Sequence, residues 1–210
     1  ISGMAQEYKD FYYELVEEAI NNTDELIEVL AEHKFLREAE EFTQEELKMC
    51  MPNMMFVDLS VRFHYRAKVI AALADSGIKV HTFGAGWDLL ECRHPENIIM
   101  AGSVDSQECL DMISQSKISV NVMPWFKDGA HDRIFNSMLN GAVVLSDTSK
   151  YLLEEFTDNK DILFYSLKGR VLGTNIDNIG ERVRDILKDN DKMQAIADAG
   201  YSRCIGRHTW

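Results

Sequence analysis

The first 50 residues carry hydrophobic positions that recur with the period of an α-helix. In residues 5–21 the apolar side chains return every three or four positions, which predicts one helix. A second helix is expected from Thr23 or Asp24 to about residue 41. Thr43–Glu46 has the form of a capping box and predicts a third, short helix. This part of the chain therefore reads as purely helical.

After Pro52 the pattern changes to short apolar runs that alternate with amphipathic stretches. Apolar runs without polar alternation are typical of parallel strands covered on both faces. The predicted strands are Met54–Ser60, Lys79–Phe83, Ile98–Ala101, Ile118–Met123, Ala142–Leu145 and Ile162–Tyr165. The predicted helices are 62–76, 105–116, 132–140, 149–156, 176–188 and Lys192 to about Ile205. We expect an α/β fold, a Rossmann-like parallel sheet with helices on both faces, preceded by an acidic helical segment.

The distribution of charge supports a division of the chain near Pro52. The first 50 residues contain 14 acidic and 4 basic residues, whereas the remainder contains 21 and 18. This step predicts a helical segment at 1–52 and a Rossmann-like domain at 53–210. The net charge of -13 argues against nucleic acid or an anionic membrane as the main partner.

Cysteine spacing and hydropathy favour a cytoplasmic chain. Cys50, Cys92, Cys109 and Cys204 form no CxxC pair and no zinc spacing, which indicates reduced thiols. No apolar run approaches the ~20 residues that a transmembrane helix needs. The N-terminus lacks the pattern of a signal peptide. No Asp-x-Asp is placed as a metal clamp, so we expect no bound metal.

The segment from Asp128 to Asp147 is the most informative part of the sequence. It reads as a polar loop, an amphipathic helix, a terminating Gly141 and an apolar strand. His131 and Arg133 lie at the predicted helix N-terminus, where backbone N–H groups and the helix dipole favour an anion. Ligands of such sheets bind outside the carboxyl ends of the strands. The loops expected there are Val61–Arg66, Gly84–Asp88, Gly102–Asp105 and Pro124–Arg133, around a phosphate-bearing ligand.

Four motifs, in this order and spacing, resemble one known family. They occupy residues 66–73, 81–87, 102–105 and 131–142, and the endings Ala199–Arg203 and His208–Trp210 also fit. Together they are similar to the C-terminal domain of GT-B glycosyltransferases of the CgeB-like, spore-maturation (glycosyltransferase group 1) type, from about Met54 to Trp210. The resemblance implies transfer of a sugar from a nucleotide-sugar, such as a UDP- or GDP-sugar, without a further cofactor. It also implies a fragment whose acceptor would be held by a separate N-terminal domain of the same protein.

The resemblance assigns roles to the residues around the predicted helix start. His131 and Arg133 match a His-x-Arg element and would act in catalysis, by neutralising the diphosphate and the charge of the leaving nucleotide. The amides of Gly129 and Ala130 would add to this. The superfamily often has two glutamates at the positions of Asp128 and Asn136 in this chain. Asn136 could accept a hydrogen bond from the donor ribose through its amide oxygen, without the assistance of a charge.

Three further groups complete the site that the resemblance implies. They are Arg62 and Arg66 as phosphate-binding cations after the first strand, Gly84 and Gly86 as points of close approach, and the backbone of Ser103 and Val104 at the nucleobase. Each has a structural alternative. The arginines could pair with Asp58 or the acidic helices, and the glycines could shape a turn.

Three other classes of protein are alternatives to a glycosyltransferase. A non-catalytic Rossmann-like binding or assembly module with a degenerate nucleotide site is the alternative that Asn136 favours. A dinucleotide enzyme would need a glycine-rich turn after the first strand, where Val61–Arg66 stands instead. A receiver domain would need several acidic residues there, and Asp58 alone does not supply them. The last two classes are disfavoured.

Overall fold

The structure of the chain is a computed structural model that describes residues 6–38, 43, 45, 48, 51–168 and 173–208. It separates into two compact units, residues 1–65 and 66–210. The helices are α1 (Gln6–Asn21), α2 (Ile27–Glu38), α3 (Met54–Asp75), α4 (Ser106–Ser114), α5 (Asp132–Leu139), α6 (Lys150–Glu155), α7 (Ile179–Lys188) and α8 (Asn190–Arg207). The strands are β1 (Val80–Thr82), β2 (Ile98–Met100), β3 (Ile118–Asn121), β4 (Val143–Asp147) and β5 (Leu163–Tyr165).

The first unit contains α1, α2 and the beginning of α3. The apolar faces of α1 and α2 bury Tyr12, Leu15 and Leu30, which lie at the predicted helical spacing. Lys34 is also buried, and its ammonium group pairs with Glu14 at 2.6 Å and with Glu38. The first two predicted helices are therefore present. The predicted third helix falls where only Thr43, Glu45 and Lys48 are described, and Glu46, the other half of its capping box, lies outside the described residues.

The predicted strand at Met54–Ser60 is wrong, because these residues form the start of α3. The buried positions are Met54, Val57, Val61 and Tyr65, and they recur every three or four residues as on one face of a helix. An apolar run as short as Met54–Val57 fits a buried strand and a buried helix equally well. The longer period decides for the helix. The predicted domain boundary at 52/53 stays a prediction beside the observed division at 65/66.

The second unit is a parallel α/β fold, as the sequence predicted. β1 pairs with β2, and a second sheet has the order β3-β4-β5, with all pairs parallel. Each of these five strands overlaps a predicted one. Every residue of β4 is buried, and α5 and α8 pack against it. β4 is therefore the centre of the larger sheet.

The core beside β4 is built from α5 and α8. It includes Ile134, Met138, Val144, Phe164 and Cys204, all nearly inaccessible. α5 ends as predicted at Gly141, which has a φ of 80° and so adopts the left-handed conformation that glycine tolerates best. These contacts fix the direction of α5 and therefore the position of its N-terminus at the carboxyl end of β3.

Candidate functional site

The glycine-rich loops after β1 and β2 are joined by a backbone hydrogen bond. The amide of Gly84 donates to the carbonyl of Gly102 at 2.7 Å. Gly84 and Gly86 have φ values of 94° and 87°, which an L-residue rarely adopts, and a Cβ at either would meet nothing within 4 Å. These glycines are therefore required by the turn, and their backbone borders open space. Ser103 in the neighbouring loop is exposed.

The helix that follows the second loop begins at the predicted capping box. The Asp105 carboxylate accepts from the Glu108 amide at 2.8 Å, and the Glu108 carboxylate accepts from the Asp105 amide at 3.0 Å. Both exchanges satisfy amides that the first turn of α4 leaves without a partner. This cap fixes where α4 starts and therefore where the segment with Ser103 and the half-buried Val104 ends.

His131 forms the N-cap of α5. Its Nδ1 accepts a hydrogen bond from the Arg133 amide at 3.2 Å, and the same atom lies 2.5 Å from Oδ1 of Asp132. The first contact requires an unprotonated Nδ1 and the second a protonated one. The bond from the Arg133 amide makes His131 the N-cap residue, and the Asp132 side chain in the second contact is 78% exposed. The ring also contacts Phe126 edge to face, with 5.9 Å between centroids.

Arg133 is a half-buried cation at the start of α5. Its guanidinium makes no hydrogen bond or ion pair with any residue that the structure describes. Asn136 lies three residues further along the helix, so the two side chains are neighbours on its surface. The Asn136 side chain is exposed. A cation without a described partner and a side-chain amide thus lie side by side at the positive end of the helix.

The loop between β3 and α5, residues 122–131, is held by the segment that follows β4. The amide of Lys150 donates to the carbonyl of Lys127 at 2.8 Å, and the hydroxyl of Ser149 donates to the carbonyl of Gly129 at 2.5 Å. Ala130 packs against the core, whereas Asp128 is exposed. The amides of Gly129 and Ala130 donate no hydrogen bond within the described part of the chain.

A buried polar cluster lies at the carboxyl ends of β3, β4 and β5. Oδ1 of Asp147 accepts from the Met123 amide at 2.8 Å, and the Tyr165 hydroxyl donates to the Asn121 carbonyl at 2.8 Å. Burial raises the pKa of the Asp147 carboxyl to about 7, although the Met123 amide and the nearby Lys127 favour its ionised form. Burial also raises the pKa of Tyr165, and the adjacent Asp147 charge acts in the same direction.

Sequence reasoning assigned no role to this cluster. Asp147 was visible only as the polar end of an apolar strand. A carboxylate at the carboxyl end of a central parallel strand lies at the edge where ligands bind, and that position was the available signal. Its partner Met123 is 24 residues away in sequence, so the contact itself could not be read from the sequence.

The predicted loop Val61–Arg66 does not exist, because Arg62 and Arg66 both lie within α3. Arg62 forms an ion pair with Asp58 one helical turn away, at 2.7 Å. This is the structural alternative that the sequence left open. The prediction that both arginines follow a strand depends on the predicted strand at Met54–Ser60 and is wrong with it. Phosphate binding by either of them stays a prediction.

The described residues show neither a metal cluster nor a membrane helix. Within 6–38, 51–168 and 173–208, no group of three or more His, Cys, Asp or Glu is arranged to hold a metal ion. None of the helices described there is both long and apolar enough to cross a bilayer. Cys92, Cys109 and Cys204 are free thiols, and Cys50 lies outside the described residues.

Two solved structures are similar to this chain in fold. The structure of TarM aligns with a TM-score of 0.53 and 15% identity, over 70% of this chain and 29% of that one. The C-terminal domain of a glycosyl transferase group 1 family protein (LpcC) from Francisella tularensis aligns with a TM-score of 0.45 and 18% identity. That alignment covers 54% of each chain. No curated protein matches the sequence.

The structural alignments bear on the fold, whereas the sequence signature bears on the family. The chain spans less than a third of the TarM chain and about half of the LpcC domain, and at such identities the likeness concerns the fold alone. The sequence signature of a family described as glycosyl transferase-like matches residues 66–210, which is more than half of the chain. The chain therefore belongs to the glycosyl transferase-like family.

Proposed function

We propose that this chain is the donor-binding half of a GT-B glycosyltransferase of the CgeB-like type. It binds a nucleotide-sugar by its diphosphate at the N-terminus of α5, and the sugar is transferred to an acceptor held by a separate domain of the same protein. The observation that carries the proposal is the half-buried guanidinium of Arg133, which has no partner among the described residues and lies at the start of a helix capped by His131.

Electrostatics favour an anion at this position. The N-terminus of a helix carries a partial positive charge, and the Arg133 guanidinium, which pairs with no described carboxylate, adds a full one. The amides of Gly129 and Ala130 supply further donors. A diphosphate offers enough oxygen acceptors for all three groups. With this much positive charge supplied by protein groups, the proposed site needs no divalent metal.

In this proposal the parts of the donor contact two loops and one helix. Arg133 neutralises the diphosphate, and His131 stabilises the charge that develops on the leaving nucleotide. Asn136, beside Arg133 on α5, accepts from a ribose hydroxyl, with Asp128 at the mouth of the site. The backbone around Gly84, Gly86, Ser103 and Val104 borders the nucleobase. A general base, where the reaction uses one, comes from the acceptor half.

Calorimetric and thermal-shift titrations with UDP, GDP, UDP-glucose and GDP-mannose test this proposal. We expect one nucleotide to bind saturably, with the same affinity in Mg²⁺ and in EDTA. Arg133→Ala is expected to weaken binding ~10-fold or more, which corresponds to about 1.4 kcal/mol. Arg133→Lys keeps the charge but loses the planar guanidinium, so its affinity should lie between that of the unaltered chain and that of Arg133→Ala.

The matched control removes a positive charge that lies away from the loop. Lys188 is 74% exposed and pairs with Asp185 on α7, so Lys188→Ala changes the net charge equally and should leave binding unchanged. Equal losses in the Arg133 and Lys188 variants would reduce the effect to general electrostatics and refute a diphosphate site. Binding that requires Mg²⁺ would refute the metal-independent form of the proposal.

A second candidate is a binding or assembly module with a degenerate nucleotide site. It is favoured by the exposed, uncharged Asn136 at a position where related enzymes often carry a glutamate. This candidate predicts that no nucleotide binds, either to this chain or to the protein that contains the acceptor half. Asn136→Glu separates the two, since a working donor site should gain affinity and a degenerate one should not respond.

A further inference from the structure

The backbone of the β3–α5 loop is fixed at three points by four consecutive residues. The segment Asp147–Lys150 bonds to the Met123 amide, the Lys127 carbonyl and the Gly129 carbonyl. The three points span the loop from its first residues almost to His131. Because α5 begins at the next residue, anything that loosens this loop also displaces the cap of α5.

Asp147 makes the bond nearest to the beginning of the loop, and it is wholly enclosed. It is 1% exposed, as is Met123, so water cannot replace either partner of the bond. Oδ2 of Asp147 has no hydrogen-bond partner among the described residues. The carboxyl group therefore engages the rest of the chain chiefly through the Met123 amide. A buried donor left without an acceptor loses its hydration and gains nothing in exchange, so this part of the backbone opens locally more often.

We propose that Asp147 is a positioning residue, whose bond to the Met123 amide holds the β3–α5 loop so that His131 and Arg133 are presented at the start of α5. This inference rests on the proposed function, which supplies the nucleotide-sugar to which the loop presents these residues. The ordering of the loop by Asp147 can be measured without any ligand. Asp147 itself touches no reacting atom in this scheme and acts through the loop.

Hydrogen–deuterium exchange on the whole chain tests the ordering directly. In Asp147→Ala we expect amides within 123–131 to exchange about 10-fold faster or more than in the unaltered chain. Asp147→Asn retains an oxygen that accepts from Met123 and should restore slow exchange. A general loss of stability would speed exchange across the whole chain, and it would not give alanine and asparagine different exchange rates in 123–131 alone.

The matched control is another buried carboxylate bonded to a backbone amide. Asp161 is 6% exposed and accepts from the Thr157 amide at 2.6 Å, at the amino end of β5 rather than the carboxyl end of β4. Asp161→Ala should leave exchange in 123–131 unchanged. If the Asp161 and Asp147 variants loosen the loop equally, or if Asp147→Ala leaves it as slow as before, the proposal is wrong. Should Asp147→Ala not fold, Asp147→Ser, whose hydroxyl is too short for this bond, gives the same two outcomes.

Titration of the same variants with UDP and GDP connects the loop to binding. We expect Asp147→Ala to weaken binding of the preferred nucleotide ~10-fold, with Asp147→Asn and Asp161→Ala close to the unaltered chain. Loosening of the loop with no loss of affinity would overturn the link to ligand binding. If the unaltered chain binds neither nucleotide, the proposed function fails, and the exchange experiment still decides whether Asp147 orders the loop.

Discussion

Replacing Asp147 with asparagine should make the protein more stable in alkaline solution and remove part of its pH dependence. The carboxyl group is buried, and its pKa rises from 3.8 to about 7. A carboxyl whose pKa is higher in the folded state stabilises the fold fully below the unfolded pKa. That contribution is lost as the pH rises through about 7. Asparagine cannot ionise, so it lacks this loss, and its amide oxygen can still accept from Met123.

The size of the effect follows from the two pKa values. A difference of one pKa unit corresponds to about 1.4 kcal/mol, so ionisation of Asp147 costs the folded state about 4 kcal/mol well above pH 7. About 3 kcal/mol of this loss of unfolding free energy occurs between pH 5 and pH 8.5. No discount for solvent screening applies, because the side chain is wholly buried. In a domain of this size the corresponding change in Tm is roughly 6–12 °C.

Urea denaturation of both proteins across this pH range measures the effect. The quantity of interest is the difference in unfolding free energy between Asp147→Asn and the unaltered chain, which should increase by about 3 kcal/mol from pH 5 to pH 8.5. Its absolute value at pH 5 also contains the cost of the new amide group and is less informative. Ser149→Ala, a neutral change in the same segment, should follow the pH profile of the unaltered chain. A constant difference across the range would show that Asp147 does not titrate near 7 and would refute the reasoning.

Two further predictions concern stability alone. Gly200→Ala should destabilise the fold by about 1–3 kcal/mol, because the new Cβ would lie 2.8 Å from the Asp161 carbonyl. Gly206→Ala in the same helix meets nothing within 4 Å and should stabilise it by about 0.5–1 kcal/mol; equal signs in chemical denaturation would contradict the packing of α8. Asp105→Ala removes the capping box of α4 and should cost about 1 kcal/mol by the same assay, whereas Ser106→Ala should cost much less.

The α/β architecture was predictable because its signals are local. β2, β5 and the first three residues of β4 are apolar runs, and the helices between the strands have a period of their own. The capping box of Asp105 and the stop at Gly141 depend on residues within one turn of the helix ends. The start of α3 failed for a local reason as well. The run Met54–Val57 is too short to show a helical period, and the deciding positions extend to Tyr65.

The candidate site was predictable only where it is contiguous in sequence. His131 and Arg133 stand two residues apart, so their place at a helix start follows from the helix itself. The burial of Arg133 and its lack of a described partner depend on how the surrounding segments fold. Neither property can be predicted from the residues next to Arg133 in the sequence. The same holds for Asp147 and Met123, which meet only because β3 and β4 are neighbours in the sheet.

The two experiments on Asp147 give effects of opposite sign, and this is what makes them informative together. If Asp147 contributed only packing, neither asparagine nor alanine would change exchange in 123–131. The geometry instead predicts that asparagine raises stability at high pH while the loop remains ordered, and that alanine loosens the loop. Ionisation of this buried carboxyl lowers stability, so the stability of the core does not explain why a carboxyl stands at position 147. Its bond to the backbone that leads to His131 and Arg133 does explain it.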